Sequence, residues 1–247
     1  MTLEQFFQEN PRCALGFSGG VDSAYLLYAG VRAGADIRPY FIKTVFQPAF
    51  ELADAKKLAA GLGAEVTVLE LDALADPRVA ANPADRCYFC KQNLFRTLKE
   101  RAIADGYPVL LDGTNASDEA GDRPGMRALA ELSVRSPLRE CGLTKAEIRA
   151  RSREAGLFTW DKPAYACLAT RVPAGEAITA ETLARVEGAE DALFRLGYTD
   201  FRVRVFHGAA RLQLPRGQME RAVREAEELR QALKPYFTPI LLDLEGR

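Results

Sequence analysis

Histidine is almost absent: His207 is the single one in 247 residues, so a centre built from several imidazoles, the usual catalytic zinc arrangement, is excluded. Cysteine is sparse as well. Five in a chain of this length are too few to frame a disulfide scaffold, and the close pair in RCYFCK points to metal or redox chemistry before a structural bridge. Neither sign of charge dominates, with 33 Lys and Arg against 34 Asp and Glu, so the polycationic footprint of a protein that coats nucleic acid is missing. No apolar run reaches the length of a bilayer span, and MTLEQFFQENPR lacks the basic start, apolar core and small-residue cleavage site of a secretory leader. A cytoplasmic protein is expected, with neither membrane nor nucleic acid as its partner. Low-complexity tracts and repeats are also lacking.

What is present is an alternation. CALGF, IRPYFIKTVF, EVTVLEL and PVLLDGT read as strands, and between them SAYLLYAGVRAG, PAFELADAKKLAAGLG and CKQNLFRTLKERAIADG carry apolar residues at helical spacing and end at Gly. Such a pattern predicts an α/β domain with a parallel sheet covered by helices on both faces, and ligands beyond the carboxyl ends of its strands. The pattern changes near residue 170. A helix over ITAETLARVEGAEDALFRLG, a hairpin over FRVRVFHGAARLQLP turning at His207-Gly208, a helix through QMERAVREAEELRQALKPYF and a last strand PILLDL predict a small α+β domain. The expected division is 1–170 and 171–247.

One strand end stands out. In LGFSGGVDSAYLL a strand breaks at Ser18-Gly19-Gly20 and re-enters as a helix near Asp22, aiming backbone N–H groups and the positive end of the helix dipole at one point. That is an anion site. The glycines let phosphate oxygens approach the main chain, the Ser18 and Ser23 hydroxyls add donors, and Asp22 becomes useful if Mg²⁺ bridges it to a polyphosphate. The pattern lacks the Gly-Lys-Ser/Thr of the Walker loop and the G-x-G-x-x-G of the dinucleotide fingerprint. Asp112, Gly113 and Thr114 follow another strand and are expected to line the same site, with Thr44, past the second strand, beside adenine.

SGGVDS resembles the SGGxDS pyrophosphate loop of the N-type ATP pyrophosphatases, which implies a Rossmann-like sheet of the adenine nucleotide alpha hydrolase (PP-loop) type, with ATP and Mg²⁺ as cofactors. TWDKPAYACLATRVPAGEAIT, GTNASDEAGDRPGMRA, SPLRECGLTKAEIR and FRVRVFHGAARLQLP resemble the LarE family of sacrificial sulfur transferases, which serve the nickel-pincer cofactor of lactate racemase. That likeness implies adenylation of a carboxylate of pyridinium-3,5-biscarboxylic acid mononucleotide, attack by the Cys167 thiolate, and loss of the cysteine's sulfur to the product. It implies Glu190 as an acidic residue near the sulfur-transfer centre and a homo-oligomer, a hexamer in the family. Gln213 stands where the family has an acid, which weakens a full carboxylate metal cluster there.

Around Cys167, Lys162 and Arg171 are cationic neighbours in sequence that would favour thiolate; the plain alternative is a buried small hydrophobe. Arg171, Arg202 and Arg204 are candidate substrate ligands, the latter two sharing one face of a strand and suited to bidentate grip of phosphate or carboxylate, or else forming a solvated stripe. Cys87 and Cys90 begin a helix and leave three readings open: with Cys167, ligands of a [4Fe-4S] cluster that delivers sulfide; a plain thiol pair; or redox or zinc chemistry. Cys13 and Cys141 read as structural. Thr144 caps a helix that starts at Lys145, read equally as surface and as an ATP contact; Trp160 reads as lid or core, and His207 as a solvated turn residue. Rival functions are a tRNA thiolase, an amidating ligase and a non-catalytic ATP-binding regulator. The first would want a basic RNA-binding extension, the second leaves Cys167 without a role, and the third binds ATP without releasing pyrophosphate.

Overall fold

Strand β1 (Arg12–Gly16) is apolar throughout its centre because both faces of its sheet are covered. Cys13 and Leu15 enter one core and Ala14 the other, as strand alternation requires. The computed structural model describes residues 1–118 and 124–247; residues 119–123, inside the GTNASDEAGDRPGMRA stretch, lie outside the described residues. Two compact units emerge, one formed by Met1–Ala73 with Asp85–Tyr165, the other by Leu74–Ala84 with Ala166–Arg247.

In the first unit, α1 (Leu3–Glu9) starts with a capping box made by Thr2 and Gln5. After β1 come α2 (Val21–Arg32), β2 (Asp36–Lys43), α3 (Ala49–Gly61) and β3 (Thr67–Glu70). The short helix α4 (Pro77–Ala80) belongs to the other unit. The chain returns with α5 (Arg86–Ala104), β4 (Val109–Leu111), α6 (Pro124–Glu131), α7 (Pro137–Glu140) and α8 (Lys145–Glu154). All four strands are parallel, in the order β3-β2-β1-β4.

Helices α1, α2, α3, α7 and α8 bury Phe6, Leu26, Leu58, Leu138 and Ile148 against one sheet face, while Leu98 and Ala102 of α5 meet Ala14, Tyr40 and Leu110 on the other. Each large apolar side chain so buried contributes about 1.5–3 kcal/mol before entropy is set against it. Because the chain goes from β1 to β2 on one side and reaches β4 on the other, strand order reverses at β1. The loop after β1 therefore sits at a topological switch point, where open α/β sheets bind ligands.

The second unit carries a 3₁₀ turn (Leu168–Arg171), α9 (Ala180–Arg195), the hairpin β5 (Arg202–Phe206) and β6 (Ala209–Gln213), α10 (Arg216–Arg224), α11 (Ala226–Leu233) and β7 (Ile240–Leu242). The hairpin turns on His207 and Gly208, at φ 49° and 82°, the left-handed pair that a two-residue turn needs. Strand β7 runs parallel to β6. The single helix expected through QMERAVREAEELRQALKPYF is two, divided at Glu225, whose carboxylate accepts from Arg221 and from the Tyr198 hydroxyl, each at 2.9 Å. Leu74–Ala84 is stitched in through Asn82: its backbone carbonyl accepts from Gly175, and its side-chain amide donates to the Pro173 carbonyl, both at 2.8 Å.

Candidate functional site

The turn after β1 is built as its sequence requires. Gly19 lies at φ 70°, and a Cβ there would come within 3.1 Å of Ala55, so only glycine fits without strain. Gly20 is the N-cap of α2 and has no side chain to cap it, which leaves the helix start to an outside acceptor. The Ser18 and Ser23 hydroxyls lie 3.2 Å apart beside it, and Ser18 Oγ accepts from the Gly20 N–H at 3.3 Å. Two hydroxyls and a bare helix start converge on one spot.

The segment after β4 closes on that spot. A Cβ on Gly113 would lie 3.1 Å from the Ser23 nitrogen, so its lack of one permits the two backbones to pack. Asp112 and Thr114 join a hydrogen-bonded set in which the Thr114 hydroxyl donates to Asp112 at 2.5 Å and Ser136 donates to the other Asp112 oxygen at 2.6 Å. Asn115 donates its side-chain amide to Asp22 at 3.3 Å, and Lys145 places its ammonium 2.5 Å from the other Asp22 oxygen. Burial pushes the Asp22 carboxyl up against the opposing pull of Lys145. A carboxylate that holds a cation beside a bare helix start has the donor chemistry for Mg²⁺ shared with substrate oxygens. Thr44 caps its own loop, donating to Gln47 Oε1 at 2.7 Å and accepting from the Phe46 N–H at 3.0 Å.

In the second unit Cys167 precedes the 3₁₀ turn, and several bonds fix that turn. Thr170 donates to the Cys167 carbonyl through its backbone N–H at 2.9 Å and its hydroxyl at 2.8 Å. Arg171 donates to the Ala166 carbonyl at 3.1 Å and grips Glu190 with two nitrogens, at 2.7 and 3.2 Å. Both partners are sealed, at 0% and 1% side-chain exposure. Glu190 also accepts from the Val203 N–H at 2.9 Å, tying the turn to β5.

Arg204 donates to the Thr170 carbonyl at 2.6 Å and to Gln213 at 2.5 Å, and Gln213 donates onward to Asp243 at 2.8 Å. Burial, then the guanidiniums of Arg171, Arg211 and Arg247, lower the Arg204 pKa. Arg202 is buried and donates to the Phe201 carbonyl at 2.6 Å.

The expected residues thus fall into two groups, each inside its own unit. Ser18, Gly19, Gly20, Asp22, Ser23 and Gly113 come together, with Thr44 at the end of the neighbouring strand and Thr114 one residue beyond the contact. Cys167, Arg171, Glu190 and Arg204 form the second group. Lys162, a cation close to Cys167 in sequence, pairs with Asp54 at 2.6 Å inside the first unit. Cys87, exposed at the start of α5, has the Arg86 guanidinium 3.5 Å from its sulfur. Among the described residues no three His, Cys, Asp or Glu side chains gather into a group that could hold a metal ion. Cys87 and Cys90 lie in the first unit and Cys167 in the second. Asn115 ends the DGTN stretch that follows a strand, a position where ligands are expected, but its pairing with Asp22 has no sequence signal; Asp243 has none at all, and only the fold brings it to Gln213.

No family model matches the chain. It is 41% identical to an uncharacterized protein of Synechocystis over 99% of this chain and 92% of that one. Against the pyridinium-3,5-bisthiocarboxylic acid mononucleotide synthase of Lactiplantibacillus plantarum the identity is 32%, over 99% of this chain and 90% of the synthase. An uncharacterized protein of Methanocaldococcus jannaschii is 28% identical over 96% and 91%. With the switch-point loop and a parallel sheet of this order, that kinship over the full length means that the chain belongs, with the Lactiplantibacillus synthase, to one family of PP-loop enzymes.

Proposed function

We propose that this protein is an ATP-dependent sulfur transferase that adenylates a carboxylate of pyridinium-3,5-biscarboxylic acid mononucleotide and turns it into a thiocarboxylate with sulfur from Cys167. The observation that carries the reading is the uncapped, glycine-built loop at the switch point, in a chain akin over its whole length to a synthase named for a bisthiocarboxylic product.

A carboxylate is anionic and has no good leaving group, so thiolate does not attack it; adenylation removes both obstacles. The first-turn N–H groups of α2 and the Ser18 and Ser23 hydroxyls hold the ATP phosphates while a substrate carboxylate oxygen attacks the α phosphorus and pyrophosphate departs. Asp22 would hold Mg²⁺, whose charge eases the departure of pyrophosphate. The Cys167 sulfur then attacks the acyl carbon, AMP leaves, and a thioester forms. Loss of the Cys167 α proton and cleavage of its Cβ–S bond release the thiocarboxylate and leave dehydroalanine in the chain. Arg202 and Arg204 supply positive charge for the substrate's phosphate and remaining carboxylate. Arg171 and Glu190 act as positioning residues that keep the Cys167 turn in place.

The test is pyrophosphate release on adding the dicarboxylate mononucleotide, with Cys167→Ala as the companion variant. The variant is expected to release pyrophosphate and make no thiocarboxylate. Transfer at the wild-type level would remove Cys167 from the role, and absence of pyrophosphate with every carboxylate would favour a non-catalytic regulator.

A further inference from the structure

The pairing of Asp22 with Lys145 has a consequence for how the loop is loaded, resting on the nucleotide reading above. Two cations want the same carboxylate. The Lys145 ammonium lies 2.5 Å from one Asp22 oxygen, Asn115 holds the other at 3.3 Å, and a divalent ion shared with phosphate needs those same oxygens. We propose that Lys145 is the resident cation of Asp22, that a divalent metal displaces it, and that the released ammonium passes to the polyphosphate.

The main chain on both sides is pinned. The Lys145 N–H donates to Ser117 Oγ at 2.9 Å, Thr144 and Glu147 form a capping box at the start of α8, and Gly113 packs on the first turn of α2. What can move is the Lys145 stem, whose side chain is 34% exposed against 22% for Asp22. Other charges that Asp22 feels are engaged elsewhere: Arg149 donates to the Trp160 and Lys162 carbonyls, and Asp118 accepts from the Asn115 N–H. The exchange balances charge, since the doubly charged ion takes the carboxylate while the single charge of lysine moves to the phosphate anion. Metal and nucleotide then favour each other's binding, and by the same factor in either direction.

The experiment uses the full chain and needs no turnover. Mn²⁺ alone is titrated by the electron paramagnetic resonance of the unbound ion, and the α,β-methylene analogue of ATP is titrated with and without Mn²⁺. Lys145→Gln is expected to bind Mn²⁺ about fivefold tighter, the scale of one partly exposed ion pair, while binding the analogue more weakly in EDTA and showing a smaller coupling between the two ligands. Lys145→Arg keeps the charge and is expected to bind Mn²⁺ like the wild type. Asp22→Asn should lose Mn²⁺. Lys145→Gln binding Mn²⁺ no tighter than wild type, or Asp22→Asn binding it equally well, would overturn the proposal whatever the sulfur chemistry proves to be. Should the Mn²⁺ results hold while no carboxylate elicits pyrophosphate, the functional reading fails and the exchange stands.

Discussion

Removing the Glu190 carboxylate is expected to be among the most costly single changes in this protein. Its partner Arg171 is fully buried, and the pair makes two nitrogen-to-oxygen contacts at 2.7 and 3.2 Å. Glu190→Ala leaves that guanidinium uncompensated where water cannot reach it, a loss of about 3–5 kcal/mol. The Val203 N–H loses its acceptor too, adding about 1 kcal/mol. Against a total stability of roughly 5–15 kcal/mol, this threatens the fold at moderate temperature. Arg171→Met alone strands the carboxylate and should cost a similar amount. The double variant Arg171→Met/Glu190→Leu removes both charges, and the burial penalty goes with them; it should lie within about 2 kcal/mol of wild type rather than near the sum of the singles. Urea unfolding followed by far-ultraviolet circular dichroism of the wild type, Arg171→Met, Glu190→Leu and the double variant measures all four corners of the cycle. A Glu190→Ala cost below about 1 kcal/mol, or costs that simply add, would refute the reasoning.

Gly19→Ala places a side chain at φ 70° and against Ala55, and should cost about 1–2 kcal/mol, read as a fall in Tm of roughly 2–8 °C, with weaker binding of the ATP analogue; an unchanged Tm would mean that the turn is not constrained as described. Burial pushes the Cys13 thiol up to about 12, so at pH 8 it stays protonated and should resist iodoacetamide until urea is added, while exposed Cys87 reacts. Labelling of Cys13 at the rate of Cys87 in the native protein would contradict its place in the sheet.

The α/β layering was legible because a sheet covered on both faces writes nearly continuous apolar strands such as CALGF, and helices between them keep their own period. The loop was legible because its chemistry is local: glycines, hydroxyls and an acid within six residues. Pairings across the chain were not. Lys145 lies 123 residues from Asp22 and Arg171 lies 19 from Glu190, and no periodicity encodes such partners. The attachment of Leu74–Ala84 to the second unit rests on Asn82 in a left-handed conformation at φ 54°, bonded to backbone some ninety residues on. The break at Glu225 is not written in the sequence, because the residues around it are good helix formers and the Tyr198 hydroxyl that bonds Glu225 lies 27 residues away.

The central claim is that ATP activates an acid so that Cys167 can give up its sulfur, and the most direct measurement is the intact mass of anaerobically purified protein after one turnover with the dicarboxylate mononucleotide. The account predicts that the chain becomes lighter by one H₂S, with peptide mapping placing dehydroalanine at residue 167. Product formed over many turnovers by protein of unchanged mass would contradict it.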